Sequence, residues 1–202
     1  MNGQIDITER SIETSVGTTY CRLVAGPPST RPPLIVVHGG PGFTWNYLGE
    51  LDQLAAAGQP VIYYDQLGNG LSGSPPGGAE AISLAVLCQQ LRDVVSALIG
   101  DGRYFLLGHS AGSVVALEHA LENPPGLAGL VIANGGAAAR DVADSIWRCR
   151  RNLPAAMQIA LDRGDADGNT TSDAYNAAIG EFFQRHVCRT ATMPAGLQHA
   201  LA

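Results

Sequence analysis

The amino-acid sequence predicts an α/β fold: a mainly parallel sheet with flanking helices, followed by a purely helical region. Two short runs without charged residues, Leu34–Val37 and Val61–Tyr64, are typical of strands that are covered on both faces. Stretches with helical composition or spacing separate the predicted strands, and this alternation favours parallel strands with right-handed crossovers. After Asn134 the sequence shows helical patterns alone. The fold class follows from these three observations.

The elements can be placed in chain order from periodicity and from turn residues. Strand character covers residues 10–16, 18–25, 34–37, 61–64, 103–107 and 127–133, with Gly17 as a turn between the first two. Helical patterns cover residues 45–57, 80–99, 113–122, 139–163, 171–188 and 194–202. We therefore expect residues 1–136 to form the core and residues 137–202 to form a helical cap over the carboxyl edge of the sheet.

A serine lies at the junction of a predicted strand and a predicted helix. Residues 108–112 read G-H-S-A-G, between the strand at 103–107 and the helix at 113–122. A G-x-S-x-G pattern in this context forms a nucleophile elbow, a sharp turn that presents the serine hydroxyl. Ser110 is therefore the candidate catalytic nucleophile. The alternative is a buried serine in a tight turn.

A glycine-rich loop, H-G-G-P-G at residues 38–42, follows the strand at 34–37. Acyl transfer develops negative charge on a carbonyl oxygen, and each backbone N–H that meets this charge contributes about 3 kcal/mol. We expect an oxyanion hole formed by the N–H groups of Gly40 and Ala111. The alternative is a turn that only connects a strand to a helix. The remaining residues form a supporting loop: His38, Gly39, Pro41 and Gly42.

A third loop, D-Q-L-G-N-G-L-S at residues 65–72, follows the strand at 61–64. Its aspartate is a candidate acid, but short polar side chains in such loops more often bind neighbouring backbone groups. We therefore expect Asp65 to brace the loop.

Together the three loops resemble those of the proline iminopeptidase family of α/β-hydrolases. Residues 181–189, E-F-F-Q-R-H-V-C-R, are also similar to that family's cap helix. The resemblance implies the α/β-hydrolase fold and an aminopeptidase that releases an N-terminal residue, often proline, from peptides or amides. It implies Ser110 as the nucleophile, with Gly40 and Ala111 at the oxyanion hole. The family often has an aromatic residue at the position of Ala111, which changes the pocket shape and not the backbone N–H.

The expected base of a serine hydrolase has no clear place in this chain. In α/β-hydrolases the acid and the histidine follow the nucleophile, and the resemblance places both on strands beyond the cap. We therefore expect a C-terminally truncated chain that lacks those strands and is inactive alone, because an unassisted serine hydroxyl stays protonated. His199 is the candidate substitute base. The other histidines are expected to be structural or at the surface: His38, His109, His119 and His186.

Composition excludes several other functions. The 202 residues suit one domain, and the net charge of −6 without a basic block argues against nucleic-acid binding. No apolar run has membrane-spanning length, and the N-terminus lacks signal-peptide features. The four cysteines lack C-x-x-C spacing, which favours free thiols in the cytoplasm. We expect no metal and no cofactor. The partner is a peptide or a small amide or ester substrate, and the oligomeric state stays open.

Two other functions remain open at this point. One is an esterase or amidase that uses the same elbow, and the other is a catalytically dead binding module with this fold. Dehalogenases and epoxide hydrolases are disfavoured, because these enzymes have aspartate at the position of Ser110.

Overall fold

The computed structural model describes residues 4–40 and 42–201, and a six-stranded sheet runs through it. The strands are β1 (Asp6–Thr14), β2 (Gly17–Ala25), β3 (Leu34–Val37), β4 (Val61–Tyr64), β5 (Tyr104–His109) and β6 (Leu127–Ala133). Their order across the sheet is β1-β2-β4-β3-β5-β6. β2 pairs antiparallel with β1 and β4, whereas β4, β3, β5 and β6 run parallel. The predicted class, α/β with a mainly parallel sheet, is confirmed.

The central strand β3 is buried on both faces, as its unbroken apolar run predicts. Ile35 and Val37 belong to an apolar cluster that also contains Leu91 and Val115 from flanking helices. Leu34 and Val36 belong to a second cluster, with Ala55 and Tyr63. Successive side chains of a strand point to opposite faces, so each face of β3 contributes to a different cluster. This burial fixes the carboxyl end of β3, where the glycine-rich loop begins.

Helices flank the sheet on both faces. A 3-10 helix (Trp45–Leu51) continues into α1 (Asp52–Ala56), and a 3-10 turn (Ala79–Ala81) precedes α2 (Leu84–Leu98). The predicted helix over residues 80–99 begins later than expected because Ser83 caps α2: its hydroxyl accepts a hydrogen bond from the Val86 N–H at 3.3 Å. Helix α3 (Gly112–Leu121) follows β5 directly.

The chain divides into two compact units, and the second comprises Ala138–Pro194. It contains α4 (Ala139–Arg151), α5 (Ala155–Asp167) and α6 (Asp173–His186). The helical pattern over residues 139–163 is divided between α4 and α5, because Pro154 has no N–H to continue α4 and instead directly precedes α5. Leu153, Leu161 and Ala178 form this unit's buried cluster.

The last helix, α7 (Ala195–Leu201), groups with the first unit and packs against the Trp45–Leu51 helix. Within residues 4–40 and 42–201, none of the helices combines the length and the apolar character needed to cross a membrane.

Candidate active site

Ser110 lies in a strained turn between β5 and α3. Its φ angle is 52°, in the left-handed region that non-glycine residues rarely adopt, and the residue is exposed. The Ser110 N–H donates to the Ala133 carbonyl at 2.9 Å, and the Ser110 carbonyl accepts from the Ser113 N–H at 3.0 Å. Hydrogen bonds on both sides therefore hold the strained backbone. The predicted strand–turn–helix with serine at its apex is confirmed.

Close backbone packing brings the glycine-rich loop against this turn. A methyl group on Gly112 would lie 2.3 Å from the His38 carbonyl oxygen, so only glycine lets α3 approach the end of β3. A methyl group on Gly39 would lie 2.9 Å from the Ser110 Cβ atom. Ser110 and the loop that follows β3 are therefore in direct contact.

Two backbone N–H groups beside Ser110 have no acceptor among the described residues. They belong to Gly40 and Ala111. Both residues line one cleft of about 400 Å³. Gly42 has a φ angle of 82°, and the predicted supporting residue Pro41 lies outside the described residues. The structure thus brings together Ser110 and two potential donors for a negatively charged oxygen.

The cleft beside these donors is largely apolar. Its walls come from the loop after β4, the start of α2 and the start of α3, through the side chains of Leu67, Ile82, Leu84, Leu87, Val114 and Val115. Such walls favour an apolar group on the molecule that binds there.

His38 is a buried part of the glycine-rich loop, with 1% of its surface exposed. Its Nε2 accepts a hydrogen bond from the Gln66 N–H at 2.9 Å, and its Nδ1 lies 2.6 Å from the Gly39 carbonyl oxygen. Burial lowers the pKa of His38, so the ring is neutral at neutral pH.

Tyr47 joins the glycine-rich loop to the residue before the nucleophile, and the sequence analysis missed it. The Gly39 N–H donates to its hydroxyl at 2.6 Å, and the hydroxyl shares a hydrogen bond with His109 Nδ1 at 2.8 Å. Burial raises the pKa of Tyr47 to about 12 and lowers the pKa of His109. The hydroxyl therefore keeps its proton, and the imidazole favours its neutral form. A tyrosine in an aromatic-rich helix looks like a core residue in the sequence.

Asp65 braces its loop, as predicted. Its carboxylate accepts hydrogen bonds from the N–H groups of Trp45 at 3.2 Å and Leu71 at 3.1 Å. Burial raises the pKa of Asp65, against the opposing effect of these hydrogen bonds. The carboxylate is thus occupied by backbone groups of its own surroundings.

None of the remaining histidines is bonded to the candidate nucleophile. His119 is buried and shares a hydrogen bond with the Tyr104 hydroxyl. His199 lies on α7 in the first unit, and His186 ends α6 in the second. In residues 4–40 and 42–201, no side chain hydrogen-bonds to the Ser110 hydroxyl, and no cluster of three or more His, Cys, Asp or Glu is arranged to hold a metal ion.

Comparison with known proteins identifies the family. Residues 32–185 match the profile of the alpha/beta hydrolase fold. The chain belongs to the alpha/beta hydrolase fold family. The turn at Ser110 and the glycine-rich loop beside it lie within the matched region.

The sequence is also similar to proline iminopeptidases, which confirms the resemblance drawn from the motifs. The proline iminopeptidase of Lactobacillus delbrueckii subsp. lactis is 35% identical over 184 residues, which cover 90% of this chain and 62% of the relative. This alpha/beta hydrolase chain therefore spans less than two thirds of the length of that relative.

Two solved structures show the same fold. The proline iminopeptidase of Mycobacterium smegmatis is 34% identical with a TM-score of 0.84, and the alignment covers 96% of this chain and 66% of the other. The structure of VinJ is 33% identical with a TM-score of 0.90, with the same two coverages.

Proposed function

We propose that this chain carries the nucleophile and the oxyanion hole of a serine aminopeptidase that releases an N-terminal residue, often proline, from peptides or amides. The observation that carries the proposal is Ser110, held at a φ angle of 52° with the glycine-rich loop in contact with its side chain. The similarity to proline iminopeptidases supports the substrate class.

In the proposed reaction the Ser110 Oγ attacks the carbonyl carbon of the substrate. The carbonyl oxygen becomes negatively charged and accepts hydrogen bonds from the N–H groups of Gly40 and Ala111. The serine proton passes to a base and then to the departing amine, which leaves as the carbon–nitrogen bond breaks. Water, deprotonated by the same base, hydrolyses the resulting ester and restores the serine.

The base is the part of this reaction that the described residues do not supply, because none of them hydrogen-bonds to the Ser110 hydroxyl. We propose that the 202-residue chain by itself turns over slowly. Binding and oxyanion stabilisation without a complete triad still leave roughly 10³–10⁴-fold catalysis over water. An external base such as imidazole should therefore raise the rate.

An esterase or amidase is the second candidate function, because the apolar cleft can also hold an acyl chain. The cleft next to Gly40 and Ala111 suits an apolar group adjacent to the reacting carbonyl, whether a proline ring or an acyl chain. Rates on prolyl 4-nitroanilide and on a short-chain 4-nitrophenyl ester, compared on one preparation, discriminate between the two.

The decisive experiment is covalent labelling of the chain with a fluorophosphonate, with and without imidazole, followed by peptide mass spectrometry. We expect one label, on Ser110, formed faster with imidazole and absent from Ser110→Ala. The folded Ser110→Ala variant is the matched control, because it shows any direct reaction of the fluorophosphonate with imidazole or with other side chains. A folded chain that stays unlabelled under both conditions would contradict the proposal and favour the catalytically dead binding module.

A further inference from the structure

Side chains from two other segments fix the peptide group between His38 and Gly39. Its carbonyl accepts a hydrogen bond from the Gln66 Nε2 at 2.6 Å, and its N–H donates to the Tyr47 hydroxyl at 2.6 Å. Both polar groups of this peptide are thus bonded, and Gly39 itself is buried. The peptide cannot rotate without breaking both hydrogen bonds.

The next peptide group, between Gly39 and Gly40, is held by the His38 ring. The Gln66 backbone N–H can only donate, so the His38 Nε2 that it contacts at 2.9 Å carries a lone pair. The one proton of the neutral ring is therefore on Nδ1, and it donates to the Gly39 carbonyl oxygen at 2.6 Å. The chemistry of the surrounding groups thus determines the tautomer.

The orientation of the Gly40 N–H follows from this hydrogen bond. In a planar trans peptide the C=O and the N–H point in opposite directions. Because the Gly39 carbonyl is turned toward the buried His38 ring, the Gly40 N–H is turned away from it. No described residue accepts a hydrogen bond from this N–H, and Gly40 borders the cleft that Ala111 also lines.

We propose that His38 and Tyr47 are positioning residues that clamp the two peptide groups of Gly39 and so aim the Gly40 N–H at the oxygen that becomes charged. Glycine populates more backbone conformations than any other residue, so a loop of glycines needs such restraints to keep a donor in place. If the Gly39–Gly40 peptide turned over, its carbonyl would replace the N–H and repel the oxyanion. The catalytic consequence rests on the proposed function, whereas the clamp itself does not.

Tyr47→Phe tests one side of the clamp, because it removes only the hydroxyl. We expect the imidazole-assisted rate at saturating ester to fall roughly tenfold to a hundredfold, less than the loss of a whole oxyanion donor, with KM nearly unchanged. Tyr104→Phe is the matched control, since it also removes a hydroxyl that is bonded to a histidine, at the opposite end of β5. Equal losses in the two variants, or a loss confined to KM, would overturn the proposal.

Two substitutions of His38 test the hydrogen bond from its ring to the Gly39 carbonyl. His38→Asn keeps an N–H donor near the position of Nδ1, whereas His38→Leu has none, and both lose the acceptor of the Gln66 N–H. We expect the imidazole-assisted rate at saturating ester to be about tenfold higher for His38→Asn than for His38→Leu. Equal rates in two folded variants would show that the bond to the Gly39 carbonyl has no role.

Nuclear magnetic resonance separates the clamp from the proposed function, because it needs neither turnover nor a variant. The ¹⁵N shifts of the His38 ring in the unmodified chain should show a proton on Nδ1 and a lone pair on Nε2. A proton on Nε2 would overturn the clamp even in an active chain. The expected tautomer in a chain that fluorophosphonate does not label would support the clamp and contradict the proposed function.

Discussion

The two compact units use polar side chains in different ways. In the first unit, polar residues of the loops that follow β3 and β4 are buried and bonded to backbone groups: His38 and Asp65 are each 1% exposed, and Gln66 is 7% exposed. Gln90 is fully buried and bonds to the Leu67 N–H at 3.0 Å and to the Asp65 carbonyl at 3.0 Å. A desolvated hydrogen bond is costly to break, so these loops have one well-defined conformation.

In the second unit the acidic partners of the charged pairs are in contact with water. Arg150 and Asp165 approach to 2.7 Å with side chains 16% and 41% exposed, and Arg185 pairs with Glu181 within α6. Exposed pairs of this kind contribute little to stability. Buried polar contacts therefore hold the loops at the candidate site, whereas a small apolar cluster stabilises the helical unit.

The largest expected difference in stability is between two glycine-to-alanine substitutions, one in each unit. Gly112→Ala in α3 would place a carbon 2.3 Å from the His38 carbonyl oxygen, a backbone atom with no room to move. We expect a loss of at least about 3 kcal/mol in the free energy of unfolding. Gly180→Ala in α6 meets no atom within 4 Å, and we expect a gain of about 0.5–1 kcal/mol. Urea denaturation measures both. Similar effects of the two changes would remove the distinction between the units.

Replacing one aspartate in each unit by asparagine should have an intermediate effect on stability. Asp52 receives two hydrogen bonds at 2.8 Å from Arg22, whose side chain is 8% exposed, and a third at 2.8 Å from Tyr63. Asp52→Asn leaves the buried guanidinium with only the exposed Glu9 carboxylate, 3.9 Å from its Nε, as a counter-charge, and we expect a loss of about 2–4 kcal/mol. Asp165→Asn should cost less than about 1 kcal/mol, because Asp165 is exposed and Arg150 keeps its ion pair with Asp162. Thermal denaturation measures both variants, and a larger loss of stability for Asp165→Asn than for Asp52→Asn would contradict the difference between the two units.

The smallest effect concerns pH and the buried His119. Burial lowers the pKa of His119 in the folded chain, whereas the unfolded histidine binds a proton near pH 6.5. The unfolded state therefore binds more protons below that pH, and the stability falls as the pH decreases, by at most about 1.4 kcal/mol per pH unit. His119→Gln should show a smaller fall between pH 7.5 and 5.5 in urea titrations. An unchanged slope would mean that His119 does not contribute.

Much of the fold was predictable because its rules are local. Unbroken apolar runs located β3 and β4 with their observed bounds, and the pattern at 127–133 located β6. The helical pattern over residues 139–163 did not show the break at Pro154, where a single residue without an N–H outweighs the surrounding helical composition. The bracing role of Asp65 was also predictable, because its hydrogen-bond partners include Leu71, only a few residues along the chain.

The sequence by itself determined the turn at Ser110 and the glycine-rich loop, because each depends on residue types at fixed short spacing around one strand end. Only the tertiary structure decided which side chains hold that loop. The Tyr47 hydroxyl reaches His109, 62 residues along the chain, and the Gln66 N–H reaches His38, 28 residues away. Long-range hydrogen bonds of this kind depend on the positions of several strands at once, and no local pattern encodes those positions.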